Sequence, residues 1–403
     1  MIPEAAISIL SASGRSREAR RLLAFPQPPF PPQGGAYWLD DDGRPLQDEP
    51  VWTWITARTA HVYGLAHLAG APDARWRAEV ALRGLRGPLR DERDGGWFES
   101  SPSRRTHKTA YTHAAVLLAS TTALRAGLDI TGELLRESLE VIDERFWDEE
   151  AGMSRDAMTR DWSSTSDYRG LNANMHLVEA YLAVPDEVSP LARQRALGIC
   201  RRVVAWAEVT DWRLPEHFDL AWGPVLDYGI DRPSDPFTPF GSTPGHGFEW
   251  ARLLAGASVE GSAKDAAWLR EAALSLYDRA ARDGWARDGE PGFVYTVDWE
   301  GRPVASQRLF WVAAEAVAAA EVLLKLTGDP RYHDDRRVWW RYIDEYLVDR
   351  ERGSWRHELD LGNRPASTIW AGKPDLYHAY QACIVPDLPL SASVSEGVAR
   401  ARV

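Results

Sequence analysis

The sequence predicts an all-α fold, an (α/α)6 barrel of six inner and six outer helices with short hairpins or turns between them. Three observations predict it. A turn phrase recurs along the chain, an apolar stretch of helical period follows each turn, and a more charged, amphipathic stretch precedes several of them. Self-similarity at intervals of roughly 55 to 80 residues marks a fold built from repeated supersecondary units.

The turn phrase is clearest as YWLDDDGRP (37–45), VYTVDWEGRP (294–303) and WRHELDLGNRP (355–365), each with Gly near the bend and Pro closing it. Weaker versions are GGWFESSPSRR (95–105), GMSRDAMTRDW (152–162) and EHFDLAWGPVLD (216–227). The stretches that follow are VWTWITARTAHVYGLAHLA, RTHKTAYTHAAVLLASTTAL, RGLNANMHLVEAYLA, PGHGFEWARLLAGA, QRLFWVAAEAVAAAEVLLKLTG and KPDLYHAYQACIV. They are apolar nearly all round, as buried helices are. Stretches such as DARWRAEVALRGLRGPLR and DRRVWWRYIDEYLVD carry one charged face, as outer helices do. Nothing linker-like divides the chain, so residues 1–403 read as one barrel domain with a weakly ordered tail from about Ser391.

Composition narrows the function classes. A net charge of −12 argues against nucleic acid or an anionic membrane surface as partner. Two cysteines, Cys200 and Cys383, are too few for a disulfide framework or a thiolate metal site, and a reducing cytoplasm fits them. The N-terminus shows no export signal, and no apolar run has the length of a membrane span. Nineteen tryptophans stand out. Some fill the core; others offer the aromatic faces on which sugar rings stack.

The unusual polar residues gather at one end of the inner helices. Trp54, Arg58 and His61 fall at i, i+4, i+7; His107 and Tyr111, and Asn172 and His176, are four apart; Asp375 and His378 are three apart. Gln307 and Trp311 open the fifth helix. In GSTPGHGFEW (241–250), Gly245 and Gly247 free the backbone and His246 and Glu249 share the first turn of the fourth. Any one of these could be a hydrogen-bonded core residue or a cap, but six helices placing polar groups at one end point to a polar ligand. The His/Glu spacing is not that of a zinc helix, so no metal or other cofactor is expected. Two imidazoles suit proton transfer at carbon, with Glu249 expected to orient His246. The chain has no phosphate loop, dinucleotide fingerprint or serine elbow.

At these residues the sequence resembles the N-acylglucosamine 2-epimerase superfamily, nearest its mannose isomerase and sulfoquinovose isomerase branch. The matching motifs are TWITARTAHVYGL, RTHKTAYTHAAVLLAS, YRGLNANMHLVEAYLA, LPEHFD, PGHGFEWARLL, SQRLFWVAAEA and KPDLYHAY. The resemblance implies cofactor-free chemistry on a free monosaccharide, with His246 and His378 as acid and base and Glu249 beside the first. It places Arg58, Tyr111, Asn172, His176 and Trp311 around the sugar, with Trp54, Glu315, Trp370 and Asp375 as further members of the pocket. The expected activity is aldose–ketose isomerisation of mannose and fructose. Sulfoquinovose isomerase and sugar 2-epimerase are the alternatives within the superfamily; a non-catalytic sugar-binding barrel and a glycosidase are those outside it. A glycosidase would need two carboxylates across the scissile bond, whereas these helices are richer in His.

Overall fold

The computed structural model describes residues 8–103 and 106–402. The two chain ends of the expected domain, residues 1–7 included, and Arg104 and Arg105 of the second turn phrase lie outside the described residues. The first helix is α1 (Ala12–Ala24). Inner and outer helices then alternate: α2 (Thr53–Leu68) and α3 (Ala74–Arg86), α4 (Ala110–Arg125) and α5 (Glu133–Val141), α6 (Leu171–Ala183) and α7 (Pro190–Val209). The series continues with α8 (Pro244–Glu260) and α9 (Ala263–Gly284), and α10 (Phe310–Thr327) and α11 (Pro330–Tyr342); α12 (Tyr377–Ile384) is the sixth inner helix, and α13 (Val394–Ala401) ends the series outside this alternation.

The even-numbered helices pack side by side in chain order, and α12 returns to α2, which closes the inner ring. Each of the first five inner helices packs on the outer helix that follows it, and α12 is covered by α1 from the opposite end of the chain. The inner helices are buried on nearly every side because they are held between neighbours in the ring and an outer helix. Small residues allow this: α10 reads FWVAAEAVAAAEVLLKLT, and its alanines let neighbouring backbones approach.

The same repeat builds the end of the barrel that carries the site. The strand leading into one inner helix pairs with the hairpin before the next: Val51 with Ser101, His107 with Thr159, Arg169 with Phe218, Ser242 with Val297 and Arg308 with Leu359. The Lys373 N–H donates to the Leu39 carbonyl at 3.0 Å and completes the circle. Four hairpins share one device. Asp40, Asp219, Asp298 and Asp360 accept the backbone N–H four residues on, at 2.8 to 2.9 Å, and a proline one position further bridges back to the residue before the aspartate. A short side-chain acceptor that replaces a backbone carbonyl is why Asp recurs in the turn phrases.

Two expectations are corrected. The segment from Ser391 was expected to be weakly ordered, but it carries α13, capped by Ser393 and with Val398 buried. It packs across α2, α4 and α6 at the barrel's other end, so its few apolar residues find a surface that the linear sequence does not display. Gly245 and Gly247 let α10 and α9 pack closely on α8 rather than giving backbone freedom. A Cβ on Gly245 would lie 2.3 Å from the Trp311 ring, and one on Gly247 would lie 2.9 Å from Ala280 Cβ. Cys200 and Cys383 are both free and buried, and among the described residues no helix is long and apolar enough to cross a membrane.

Several buried histidines are held neutral, and of these His357 lines the pocket described below. His113 donates from Nδ1 to the Thr109 carbonyl (2.7 Å) and accepts the Trp97 N–H at Nε2 (3.1 Å), which fixes a neutral ring. Burial lowers the pKa of His113 and His357 to about 3 and of His61 to about 4. An unfolded histidine binds a proton near pH 6.5, so below that pH the unfolded chain takes up protons that the folded chain refuses. This contribution to stability is complete above about pH 6.5 and is lost as the pH falls towards these lowered values. The urea midpoint should therefore fall steadily between pH 7 and pH 4.5; a midpoint that stays level or rises would contradict neutral burial of these rings.

Candidate active site

The N-terminal ends of the inner helices open into one pocket. Eleven of the twelve expected site residues line it: Trp54, Arg58, Tyr111, Asn172, His176, His246, Glu249, Trp311, Trp370, Asp375 and His378. The twelfth, Glu315, is buried behind His378. Three other residues singled out by spacing lie elsewhere. His61 is buried with Nδ1 on Thr122 Oγ1 (2.7 Å), His107 lines an adjoining cavity of about 370 Å³, and Gln307 donates to Thr368 Oγ1 (3.4 Å).

Both candidate acid–base histidines are held from behind. His246 Nδ1 lies 2.9 Å from Glu216 Oε1, and His378 Nδ1 lies 2.8 Å from Glu315 Oε1. Facing a carboxylate, each Nδ1 carries the proton and donates, which leaves the two Nε2 atoms as the free ends of the rings. The Trp311 ring lies against both, with centroids 5.3 Å from His246 and 5.9 Å from His378. Proline at the first position of α8 sets its φ for the helix, so His246 leaves the barrel rim at a fixed angle.

Glu249 does not orient His246. It comes from the same turn but points into the barrel axis, where its Oε1 is buried without a hydrogen bond, 3.8 Å from His176 Nδ1 and 3.9 Å from the Arg252 guanidinium. Burial, and after it the Glu315 charge, pushes the Glu249 carboxyl well above the usual range. The orienting acid is Glu216, from the hairpin before α8. It stands in the motif LPEHFD, where an acid at the end of a turn phrase gives no periodic sign of its use. The next residue, His217, holds the Pro239 carbonyl through Nε2 (2.8 Å) and the Tyr168 hydroxyl through Nδ1 (2.7 Å), and so fixes the loop that places Phe237 at the mouth.

Across the pocket, Arg58 donates to Asp375 Oδ2 at 2.5 Å and lies 3.4 Å from His176 Nε2. Burial outweighs the Glu179 contact and lowers the His176 pKa to about 4, so this ring is neutral beside the guanidinium. Burial raises the Tyr111 pKa to about 12, so its hydroxyl is a neutral donor and acceptor. Trp54, Phe237 and Trp370 pack edge to face around the mouth. Asn172 Oδ1 is a buried acceptor without a partner, available to a ligand hydroxyl.

Two groups of side chains, His176–Glu179–Glu249 and Glu249–Glu315–His378, have ligand atoms close enough together for a metal ion. The Arg252 guanidinium lies among these carboxylates, 2.8 Å from Glu315, 3.7 Å from Glu179 and 3.9 Å from Glu249. A fixed cation already stands among these carboxylates, offsets part of their charge and ties up Glu315 Oε2, so this donor set fits a metal poorly.

Residues 34–382 match the N-acylglucosamine 2-epimerase (GlcNAc 2-epimerase) family. A D-mannose isomerase of Thermobifida fusca is 46% identical over 391 residues, 95% of each chain. A D-mannose isomerase of Pseudomonas cannabina pv. alisalensis is 42% identical, covering 95% of this chain and 94% of the relative. A crystal structure of D-mannose isomerase superposes with a TM-score of 0.86 at 26% identity, over 94% of this chain and 98% of that one. A closed ring of six inner helices, a pocket at their N-terminal ends and a match that spans most of the sequence agree: this isomerase chain belongs to the N-acylglucosamine 2-epimerase family.

Proposed function

We propose that the protein interconverts D-mannose and D-fructose by cofactor-independent proton transfer between two histidines. The observation that carries this reading is the pair of carboxylate-backed imidazoles, His246–Glu216 and His378–Glu315, with their Nε2 ends free in one pocket. Such a ring accepts a proton at Nε2 and stabilises the charge it gains through the acid behind it. With an open-chain aldose bound, one imidazole removes the proton at C2 while the other, which enters the cycle protonated at Nε2 as well as Nδ1, supplies one to the carbonyl oxygen, giving a cis-enediol. The first imidazole then returns its proton at C1 while the second takes the proton of the C2 hydroxyl, so the ketose forms and both rings regain their starting states. Arg58 and neutral His176 stand together on the opposite wall, suited to the developing negative charge on oxygen; one such donor is worth roughly 3 kcal/mol. Trp311 and Tyr111 face the sugar's carbon skeleton, and Asn172 accepts a hydroxyl. A compartment that keeps thiols reduced, the cytoplasm, suits the two free cysteines.

A neutral hexose fits better than sulfoquinovose. Among the described residues that line the pocket, Arg58 is the single Lys or Arg, and its charge is already met by Asp375. A sulfonate would need a cation of its own. The test is conversion in heavy water, with chelator present, of mannose, glucose, lyxose, cellobiose and sulfoquinovose. Mannose should give fructose carrying solvent deuterium at C1, undiminished by chelation. Fructose with no label would require transfer of hydrogen from C2 to C1 without an exchanging base, and early glucose labelled at C2 would make the protein an epimerase.

A further inference from the structure

The two histidine–carboxylate pairs are not equivalent. Glu216, behind His246, accepts no hydrogen bond from a cation among the described residues. Glu315, behind His378, is held on both oxygens: Oε1 accepts from His378 Nδ1 at 2.8 Å, and Oε2 accepts from Arg252 Nε at 2.8 Å. Arg252 itself is buried one turn below Glu249 on α8, outside the pocket lining, and its Nη2 faces Glu179 and Glu249. Glu315 on α10 thus faces Arg252 and Glu249 from α8 and His378 from α12, and Arg252 also approaches Glu179 from α6, so three buried acids share this guanidinium.

We infer that Arg252 is a positioning residue for one of the two proton-transfer groups: it holds Glu315 ionised and in one rotamer, and Glu315 in turn aims the Nε2 of His378 at the sugar. The inference rests on the isomerase reading above. Charge supports it from a second side. Burial works to raise the Glu315 pKa, and the Arg252 charge with the His378 hydrogen bond overcomes it, lowering the pKa to about 2. Glu249, which Arg252 approaches without a hydrogen bond, is pushed the other way. Without the guanidinium, Glu315 would accept a proton at a higher pH and release the imidazole from its orientation.

The experiment compares wild type, R252K, R252M, E315Q and R252M/E315Q for mannose conversion across pH, with circular dichroism to confirm folding. R252M should lower kcat by about 10- to 100-fold, as loss of an outer orienting partner does, with KM changed by less than about threefold. The acid limb of its kcat/KM profile should move to higher pH, because Glu315 loses the cation that keeps it ionised. R252K should recover part of the rate and bring the limb back. In the E315Q background, R252M should cost little more, since the arginine acts through that acid. Where removal of the buried arginine prevents folding of R252M, R252Q takes its place: it can keep an N–H for Glu315 but not the charge, and its acid limb should move to higher pH in the same way. An unmoved limb, or losses that multiply in the double variant, would overturn the inference. A wild-type protein that leaves mannose unchanged would instead overturn the isomerase reading itself.

Discussion

Asparagine in place of His246 or His378 should each remove nearly all conversion of mannose to fructose, by about 10²- to 10⁴-fold or more, with the circular dichroism spectrum unchanged. Each ring stands at the pocket wall with one nitrogen committed to a buried acid and the other free. Asparagine can keep a hydrogen bond to that acid but has no group that titrates, so packing survives while proton transfer does not. The two losses should not multiply. A reaction that needs both ends of the enediol handled is already stopped by losing one. His61 and His113, buried and paired with a threonine hydroxyl and with backbone, serve as controls: their replacement should lower stability rather than turnover per folded molecule. Measurement of active-fraction-corrected kcat for the four variants separates the classes. A variant of His246 or His378 with a near-normal rate would remove that residue from the proton-transfer pair.

Glu216→Gln should cost more than Glu249→Gln, the reverse of what sequence spacing suggests. An amide at position 216 can present an N–H to His246 Nδ1, which favours the tautomer protonated on Nε2 and blocks the free end as a base. Exchanging an orienting carboxylate for its amide costs about 10⁴ in rate in the serine-protease triad, and a loss of about 10²- to 10⁴-fold is expected here. Glutamine at 249 replaces a carboxyl that burial and the Glu315 charge hold well above its usual range, so it imitates the group already present. Its loss should stay within about tenfold. Parallel measurement of kcat and KM at pH 7.5 decides: Glu249→Gln as damaging as Glu216→Gln would show that the Glu249 carboxylate acts in its ionised form.

Much of the fold was written in local pattern. The Gly and Pro of the turn phrases, the all-round apolar inner stretches and the one-sided outer ones each report the environment of a short segment, and the ring follows from repeating them. The Asp common to four hairpins was visible in the phrases, though its use as a backbone acceptor emerged only with the fold. The polar residues at the starts of the inner helices were legible for the same reason: helical spacing assigns each to a face and an end without knowledge of its neighbours. Trp370 precedes α12 and carries no such period; it entered by resemblance to a family.

What the sequence alone determined is that the inner helices bring polar side chains to one end of the barrel. What only the tertiary structure decided is which of them touch. His246 and Glu249 are three residues apart and share a helical turn, yet the acid on His246 comes from 30 residues away, and that on His378 from 63. The Arg58–Asp375 pair spans 317 residues. A spacing of three or four places two side chains on one face, but it does not set whether their tips converge. In a closed ring the tips meet partners from adjacent helices at the axis, and hydrogen-bond contact there depends on ångström-scale placement by packing that no local window contains.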